Sequence, residues 1–157
     1  MTAANNAFEK VYEFPVNESL GLITNYVSRQ SGLSVTIADV PGPIVDGCLV
    51  LATEAHDDDG LPHTLEHLVF MGSEDFPYKG VLDLLANRSL ASGTNAWTDT
   101  DHTAYTLTTA GDVGFRNLLP IYLDHVLYPT LLPRAYLTEV RKEGITAHLK
   151  CGSCGRP

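Results

Sequence analysis

The sequence predicts a fold that mixes β-strands with amphipathic helices, and three observations predict it. Runs of alternating or continuous apolar residues at 33–38 and 44–53 have the pattern of two strands. Runs rich in threonine and aromatic residues at 92–100 and 102–109 flank a single acidic residue, which is typical of a β-hairpin. Over 114–127, apolar residues recur every three or four positions, which predicts a helix facing a core.

The bulk properties bound the class of protein. With 157 residues, 44% apolar and 18% charged, the chain has the length and composition of one globular domain. Its net charge of −9 argues against nucleic acid or an anionic membrane surface, because both attract basic proteins. No apolar run reaches the length that crosses a bilayer. We therefore expect no nucleic-acid partner and no membrane partner.

The chain begins with a polar segment, and we expect residues 1–18 to be a lead-in to the domain. Lys10 is the one basic residue before position 26, and the segment lacks the features of a secretory signal or a mitochondrial leader. Three cysteines, an odd number, show no disulfide framework, which favours a reducing compartment. We expect a cytoplasmic protein in which Cys48, in the second apolar strand, is an inert core residue.

Helical segments alternate with these strands. A helix is predicted to begin at Pro62, a residue suited to a first helical turn, and to end near Gly72. A short core-covering helix is expected over 81–86. In the later helical pattern, Pro120 predicts a kink or a restart. A further helix is expected over 134–150.

The residues with the clearest chemistry are His63-Thr64-Leu65-Glu66-His67. Four steps along an α-helix bring His67 to within about 40° of His63, and Glu66 falls beside the same face. Two imidazoles and a carboxylate that converge in this way are typical of a zinc hydrolase site. The alternative is an exposed helix with two solvated histidines, but the closely flanking apolar residues favour a lined cleft.

Further segments carry a family resemblance together with this motif. They are Gly60-Leu61-Pro62, Met71-Gly72-Ser73, Phe76-Pro77, Asn95-Ala96-Trp97-Thr98 and Asp101-His102-Thr103-Ala104-Tyr105. Over about 15–140, the chain resembles the N-terminal domain of the pitrilysin/insulinase-type (inverzincin) zinc metalloproteases, whose mark is the inverted H-x-x-E-H order. These segments most resemble those of the presequence-protease branch.

The resemblance implies an α+β fold with a mostly antiparallel sheet and helices packed on one face. It also implies a partial metalloprotease N-terminal domain at 19–140, after the lead-in at 1–18, and a divergent, loose tail at 141–157. Enzymes of this family enclose unfolded peptides in a chamber made by several similar domains. The expected partners are therefore peptide substrates and the remaining protease domains, in a longer chain or a partner subunit.

The same resemblance implies roles for individual residues. His63 and His67 would bind Zn²⁺, and Glu66 would be the general base that takes a proton from the attacking water. The run Asn95-Ala96-Trp97-Thr98 would bind an extended peptide substrate by pairing with it as a strand, and Asn95 would orient the scissile carbonyl. From the residues alone, this run is also compatible with plain core β-structure.

A catalytic zinc site needs three protein ligands, and the sequence leaves the third one open. The insulinase branch has a glutamate near the position of Glu143, whereas the presequence-protease branch places it near 155–157. Because no likeness is visible after Val140, we interpret the tail as foreign to the family and keep Glu143 as a candidate. Cys151 and Cys154 are a weak zinc signal, since no second cysteine pair accompanies them.

Two hypotheses about function follow. The first is a zinc metalloendopeptidase domain that hydrolyses unfolded peptides. The second is a catalytically inert truncated isoform or fragment that lacks the third zinc ligand and is at most a peptide-binding module. Activity of the chain by itself is left open between them. The compartment is expected to be cytoplasmic, with a mitochondrial location as the alternative because close relatives work in organelles.

Overall fold

The computed structural model describes residues 7–17, 21–54 and 60–139. The chain divides into two compact units, Met1–Pro43 and Ile44–Pro157. Within the described ranges, no helix is long and apolar enough to cross a membrane. Each unit contains its own three-stranded antiparallel sheet, and the second unit contains all the described helices.

The first unit is a sheet with the strand order β1-β2-β3. Its strands are β1 (Phe8–Asn17), β2 (Gly21–Ser28) and β3 (Ser34–Asp39). In the central strand, the buried Asn25 side chain donates from Nδ2 to the hydroxyl groups of Ser34 and Thr36, both at 2.9 Å. Side chains as well as backbone therefore join β2 to β3.

Strand β1 is a correction to the polar lead-in expected over 1–18. Residues 8–17 pair with β2 in an antiparallel register. The signal was present in the sequence as apolar residues at every second position from Tyr12 to Val16, which is the period of a strand. The charged residues Glu9, Lys10 and Glu13 interrupt the apolar pattern and give the segment its polar character.

The second unit contains a sheet with the strand order β4-β6-β5. Its strands are β4 (Ile44–Ala52), β5 (Ala91–Thr98) and β6 (His102–Ala110). β5 and β6 form the predicted hairpin, whose turn is closed by the Asp99 amide donating to the His102 carbonyl at 2.8 Å. β6 lies in the middle and pairs antiparallel with both neighbours.

Helices cover one face of this sheet and enclose the core with it. They are α1 (Leu61–Val69), α2 (Val81–Arg88), α3 (Asp112–Leu127) and α4 (Pro133–Glu139). Tyr105 and Leu107 of β6 pack against residues of the first three helices, and this cluster is buried throughout. The predicted α+β class, with an antiparallel sheet and helices on one face, is confirmed.

On β4, the described side chains that point away from the helices are exposed, and this overturns the expectation for Cys48. Leu49 and Leu51 pack against the core, so the residues between them on β4 point to the other face. Cys48 is exposed there, and Val50 is 56% exposed. The continuous apolar run around Cys48 favours burial, whereas the helices pack on the side of β4 that carries Leu49 and Leu51.

Helix α3 passes through Pro120 as one helix, without a restart. Pro120 is exposed and Tyr122, two residues on, is buried, so the proline lies on the solvent side of the helix. The short helix expected over 81–86 is confirmed as α2, and α4 confirms the start of the helix expected over 134–150. The remainder of that last prediction lies outside the described residues.

The segment after α1 is fastened to the end of α3. The backbone amide and the hydroxyl group of Thr130 both donate to the Gly72 carbonyl, at 3.0 and 3.2 Å. Gly72 has a φ of 134°, and a Cβ there would come within 3.1 Å of the Pro77 backbone. This position therefore favours glycine for both conformation and space.

Candidate metal centre

Helix α1 carries the H-x-x-E-H residues, and its start follows from the residues that precede them. Gly60 has a φ of 69°, a left-handed conformation that favours glycine. Pro62 lies in the first turn, where the missing N–H would have had no helical partner. The Thr64 amide then donates to the Gly60 carbonyl at 3.0 Å and closes the first turn. The predicted motif helix is confirmed.

His63 and His67 face each other one turn apart on this helix. Their Nε2 atoms are 3.1 Å apart, and the ring planes are tilted by 50°. Two zinc–nitrogen bonds of about 2.0–2.1 Å at a tetrahedral angle hold their nitrogens about 3.4 Å apart. The observed separation lies within a few tenths of an ångström of that value. The imidazole pair therefore has the geometry of two ligands to one ion.

Glu66 lies close to both histidines, and the three side chains form a group that could hold a metal ion. One donor atom from each of His63, Glu66 and His67 lies within 4.8 Å of the others. The carboxylate is buried, with 4% of the residue exposed, whereas both histidines are half-buried. The arrangement can hold a cation at the edge of the helix layer and keep a carboxylate beside it.

Thr98 at the end of β5 is the hydrogen-bond donor to this carboxylate. Its Oγ1 lies 2.5 Å from Glu66 Oε2. An ionised carboxylate can only accept, so the hydroxyl group donates, and such charge-assisted bonds are short. This contact joins α1 to the hairpin.

Tyr105 lies near the same carboxylate from the middle of β6. Burial, and next the negative charge of Glu66, raise the pKa of Tyr105 to about 12. The phenol is therefore neutral at physiological pH. Phe70, just after α1, packs edge-on against the Tyr105 ring with centroids 5.9 Å apart. Aromatic rings therefore pack between the end of the motif helix and the sheet.

The four residues predicted to bind substrate lie on β5, which is the outer strand of its sheet. β6 pairs with one side of β5, and no described strand pairs with its other side. Strand alternation places Asn95 and Trp97 on one face, and Ala96 and Thr98 on the face that carries α1. The structure thus brings Thr98 to the motif, while the substrate role of the four residues stays a prediction.

Two further threonines extend the contact, and sequence reasoning missed both. Thr103 lies opposite Thr98 in the hairpin, with the two hydroxyl oxygens 3.4 Å apart. Thr103 Oγ1 is in turn 3.1 Å from Thr53 Oγ1. The register of the hairpin would have been enough to predict that Thr98 lies opposite Thr103. Predicting the contact of Thr53 would also have required the pairing of β4 with β6.

The candidate for the third ligand and the cysteine pair of the tail lie beyond the part of the chain that the structure describes. Glu143, Cys151 and Cys154 lie outside the described residues. The identity of the third ligand therefore stays a prediction.

Comparison with known families and proteins supports the resemblance. Residues 52–147 match the family model described as Insulinase (Peptidase family M16). This range contains the motif helix and hairpin, and it extends beyond Val140, where we expected the likeness to end.

Similar curated proteins are much longer than this chain. An uncharacterized Caenorhabditis elegans protein is 61% identical over 115 residues, covering 73% of this chain and 12% of the relative. An uncharacterized Saccharomyces cerevisiae protein is 56% identical over 119 residues, covering 75% and 11%. The mitochondrial presequence protease of Drosophila melanogaster is 42% identical over 87 residues, covering 55% and 8%. The chain thus spans about one-eighth or less of their length.

A solved structure shows the same fold. The crystal structure of pitrilysin superposes with a TM-score of 0.74 over 87% of this chain and 15% of that chain, at 19% identity. The identity is low, so this likeness concerns the fold alone. The family match over residues 52–147, together with the identity to the Caenorhabditis elegans protein, establishes that the chain belongs to the insulinase family, peptidase family M16.

Proposed function

We propose that this chain carries the histidines and the general base of a zinc metalloendopeptidase that hydrolyses unfolded peptides. Membership of peptidase family M16 supports a peptidase function. The observation that carries the assignment of residues is the convergence of His63, Glu66 and His67 within 4.8 Å on one helix. His63 and His67 are then the metal ligands, and Glu66 is the general base.

The chemistry divides between the metal and the carboxylate. Zinc held by the two imidazoles would lower the pKa of a water molecule to about 7 and polarise the peptide carbonyl. Thr98 bonds Glu66 Oε2, which leaves Oε1 as the oxygen that would accept the proton of the attacking water. Glu66 then delivers that proton to the amine that leaves.

Strand β5 supplies the proposed site for the peptide. Its outer side is unpaired among the described strands, and an extended peptide can add there as a further antiparallel strand. Thr98, the last residue of β5, touches Glu66. A peptide paired with Asn95, Ala96 and Trp97 would therefore run towards the general base, with the exposed Asn95 side chain beside its carbonyl groups.

The third ligand and the closing domains are proposed to come from outside the described residues. A catalytic zinc site needs three protein ligands, and the described part of the chain brings two histidines together with the base. Glu143 lies within the range that matches the family model. A glutamate of a longer chain is the other source, because the relatives extend far beyond the matched range.

The decisive experiment compares zinc content with cleavage of an unstructured peptide. Glu66→Gln is expected to retain zinc and lose about 10²–10⁴-fold in cleavage rate, because it removes the proton acceptor. The matched control is Glu74→Gln, the same change at an exposed glutamate beyond the helix, which should change neither property. Cleavage at the unaltered rate by Glu66→Gln would refute the assignment of the base.

Variants of the ligands separate metal binding from catalysis. His63→Ala and His67→Ala are each expected to lower zinc content, since either change leaves a single imidazole on the helix. Glu143→Gln lowers it as well if Glu143 is the third ligand, and leaves it unchanged if a longer chain supplies that ligand. Full zinc occupancy in both histidine variants would contradict the proposed centre.

The second candidate function is peptide binding without hydrolysis. It is favoured by the two-histidine set in the described residues, because two imidazoles by themselves bind zinc weakly. This function predicts that the chain binds an unstructured peptide through β5 while zinc content and cleavage stay at background. Stoichiometric zinc with Glu66-dependent cleavage would exclude it.

The names of similar proteins also bear on the compartment in which the chain is located. The similar presequence proteases of Drosophila melanogaster and Schizosaccharomyces pombe are named as mitochondrial. They support the mitochondrial alternative over the cytoplasmic expectation. Fractionation of cells that express the full natural chain, with matrix and cytosolic markers, decides between the two.

A further inference from the structure

We propose that Thr98 is a positioning residue that anchors one oxygen of the Glu66 carboxylate and so aims the other at the reacting water. The inference rests on the proposed peptidase function and adds to it a residue on a different element, 32 positions along the chain. The side chain of Thr98, the last residue of β5, then holds the general base. Pairing with the substrate is left to the backbone of that strand.

The contact itself is short and enclosed. The distance of 2.5 Å from Thr98 Oγ1 to Glu66 Oε2 is at the short end for a hydroxyl group bonded to a carboxylate. Glu66 is 4% exposed, so water has little access to compete for that oxygen. A bond to a buried charged acceptor contributes more than a neutral surface bond does.

The two side chains differ in freedom, and this makes Thr98 the anchor. A glutamate has three side-chain torsions, and the last of them is broad, so its carboxylate is free to rotate about the terminal bond. Threonine is branched at Cβ and has one torsion that matters. Its backbone is held in the hairpin opposite Thr103. A rigid donor on a sheet therefore selects one orientation for a flexible acceptor on a helix.

A chain of hydroxyl groups supports this orientation. Because Thr98 gives its one proton to Glu66, its oxygen can only accept from Thr103, 3.4 Å away. Thr103 Oγ1 is also 3.1 Å from Thr53 Oγ1, and either hydroxyl group can be the donor in that contact. Thr103 is 2% exposed, so its hydroxyl group is shielded from water.

The kinetic test uses Thr98→Val, Thr98→Ser and a matched control in the full natural chain. Thr98→Val keeps the shape and removes the donor, and it is expected to lower kcat by about 10–100-fold with KM and zinc content unchanged. Thr98→Ser restores the hydroxyl group and should recover most of the rate. Thr108→Val, which removes a 2.7 Å bond to the Asp46 carboxylate on the same sheet, should leave kcat unchanged.

A second readout needs no activity. In the zinc-free protein, Thr98→Val is expected to lower Tm by on the order of 5 °C, because it strands a buried charged oxygen. In a Glu66→Gln background the same change should cost clearly less, since a neutral amide accepts a weaker bond. Such non-additivity measures the contact directly.

The outcomes separate this inference from the function on which it rests. Unaltered kcat in Thr98→Val, or an equal loss of Tm in both backgrounds, overturns the positioning role. Loss of zinc in Thr98→Val overturns it too, because the residue would then support the fold around the metal. If the unaltered chain cleaves no peptide, the proposed function fails for this chain, and the unfolding cycle still decides whether Thr98 holds Glu66.

Discussion

Glu66 is the residue whose surroundings determine what the centre can do. It combines a buried carboxylate, a donor at 2.5 Å on the hairpin and two imidazoles on its own helix. In the proposed centre each neighbour has a different role: Thr98 would orient one oxygen, and the histidines would hold a cation beside it. The residue types were visible in the sequence, but their distances follow from the packing of α1 on the sheet.

At the residue scale, Tyr105 makes the free energy of unfolding depend on pH in the alkaline range. Its pKa is raised to about 12 in the folded state by burial and by Glu66, whereas an unfolded tyrosine titrates near 10. The folded state therefore gains stability below pH 10, and this gain is lost as the pH rises from about 10 to 12. Urea unfolding between pH 8 and 12 should show the decline.

The control for this prediction is Tyr105→Phe, measured over the same pH range. It should make the decline shallower but not abolish it, because burial also raises the pKa of Tyr122, which still titrates. Tyr128→Phe, at an exposed position, should leave the decline as it is. An unchanged slope in Tyr105→Phe would show that other groups cause the loss of stability.

At the element scale, α1, β5 and α3 show how far a pattern predicts a segment. The spacing of His63 and His67 predicted α1, and the threonine-rich runs predicted the hairpin, because both signals are local. The partner of each element was not predictable in the same way. Charged residues hid β1, and the exposure of Cys48 depends on which face of the sheet the helices cover.

Helix α3 yields the prediction for this scale. Pro120 lies inside the helix and is exposed, so Pro120→Ala should restore a backbone donor and raise the free energy of unfolding by about 1–2 kcal/mol. Thermal unfolding checks it. The matched change Pro133→Ala, at the first position of α4, should give no gain because a proline is accommodated there. A lower Tm in Pro120→Ala would mean that the ring itself packs favourably.

At the scale of the whole molecule, the core and the metal centre are separate. The buried cluster of the second unit is apolar and aromatic, and it contains neither His63 nor His67. We therefore expect this unit to fold without a metal, unlike a zinc finger.

Metal removal tests this separation. After chelation, the far-ultraviolet circular dichroism should stay that of a folded protein, while Tm falls because bound zinc stabilises the folded state by about 2–3 kcal/mol at a hundredfold excess over Kd. His63→Ala should have the Tm of the metal-free protein both in the presence and in the absence of the chelator. Unfolding on chelation would show instead that zinc is structural here.

By itself, the sequence determined the α+β class, the H-x-x-E-H helix, the hairpin and a family resemblance that the family match confirms. These follow from local periodicity and from residue types, which need no partner. Only the tertiary structure decided that Thr98 bonds Glu66, that Thr103 and Thr53 continue the contact, and that Cys48 is exposed. Those facts depend on which face of a pleated sheet meets a helix, and contacts between segments tens of residues apart set that choice.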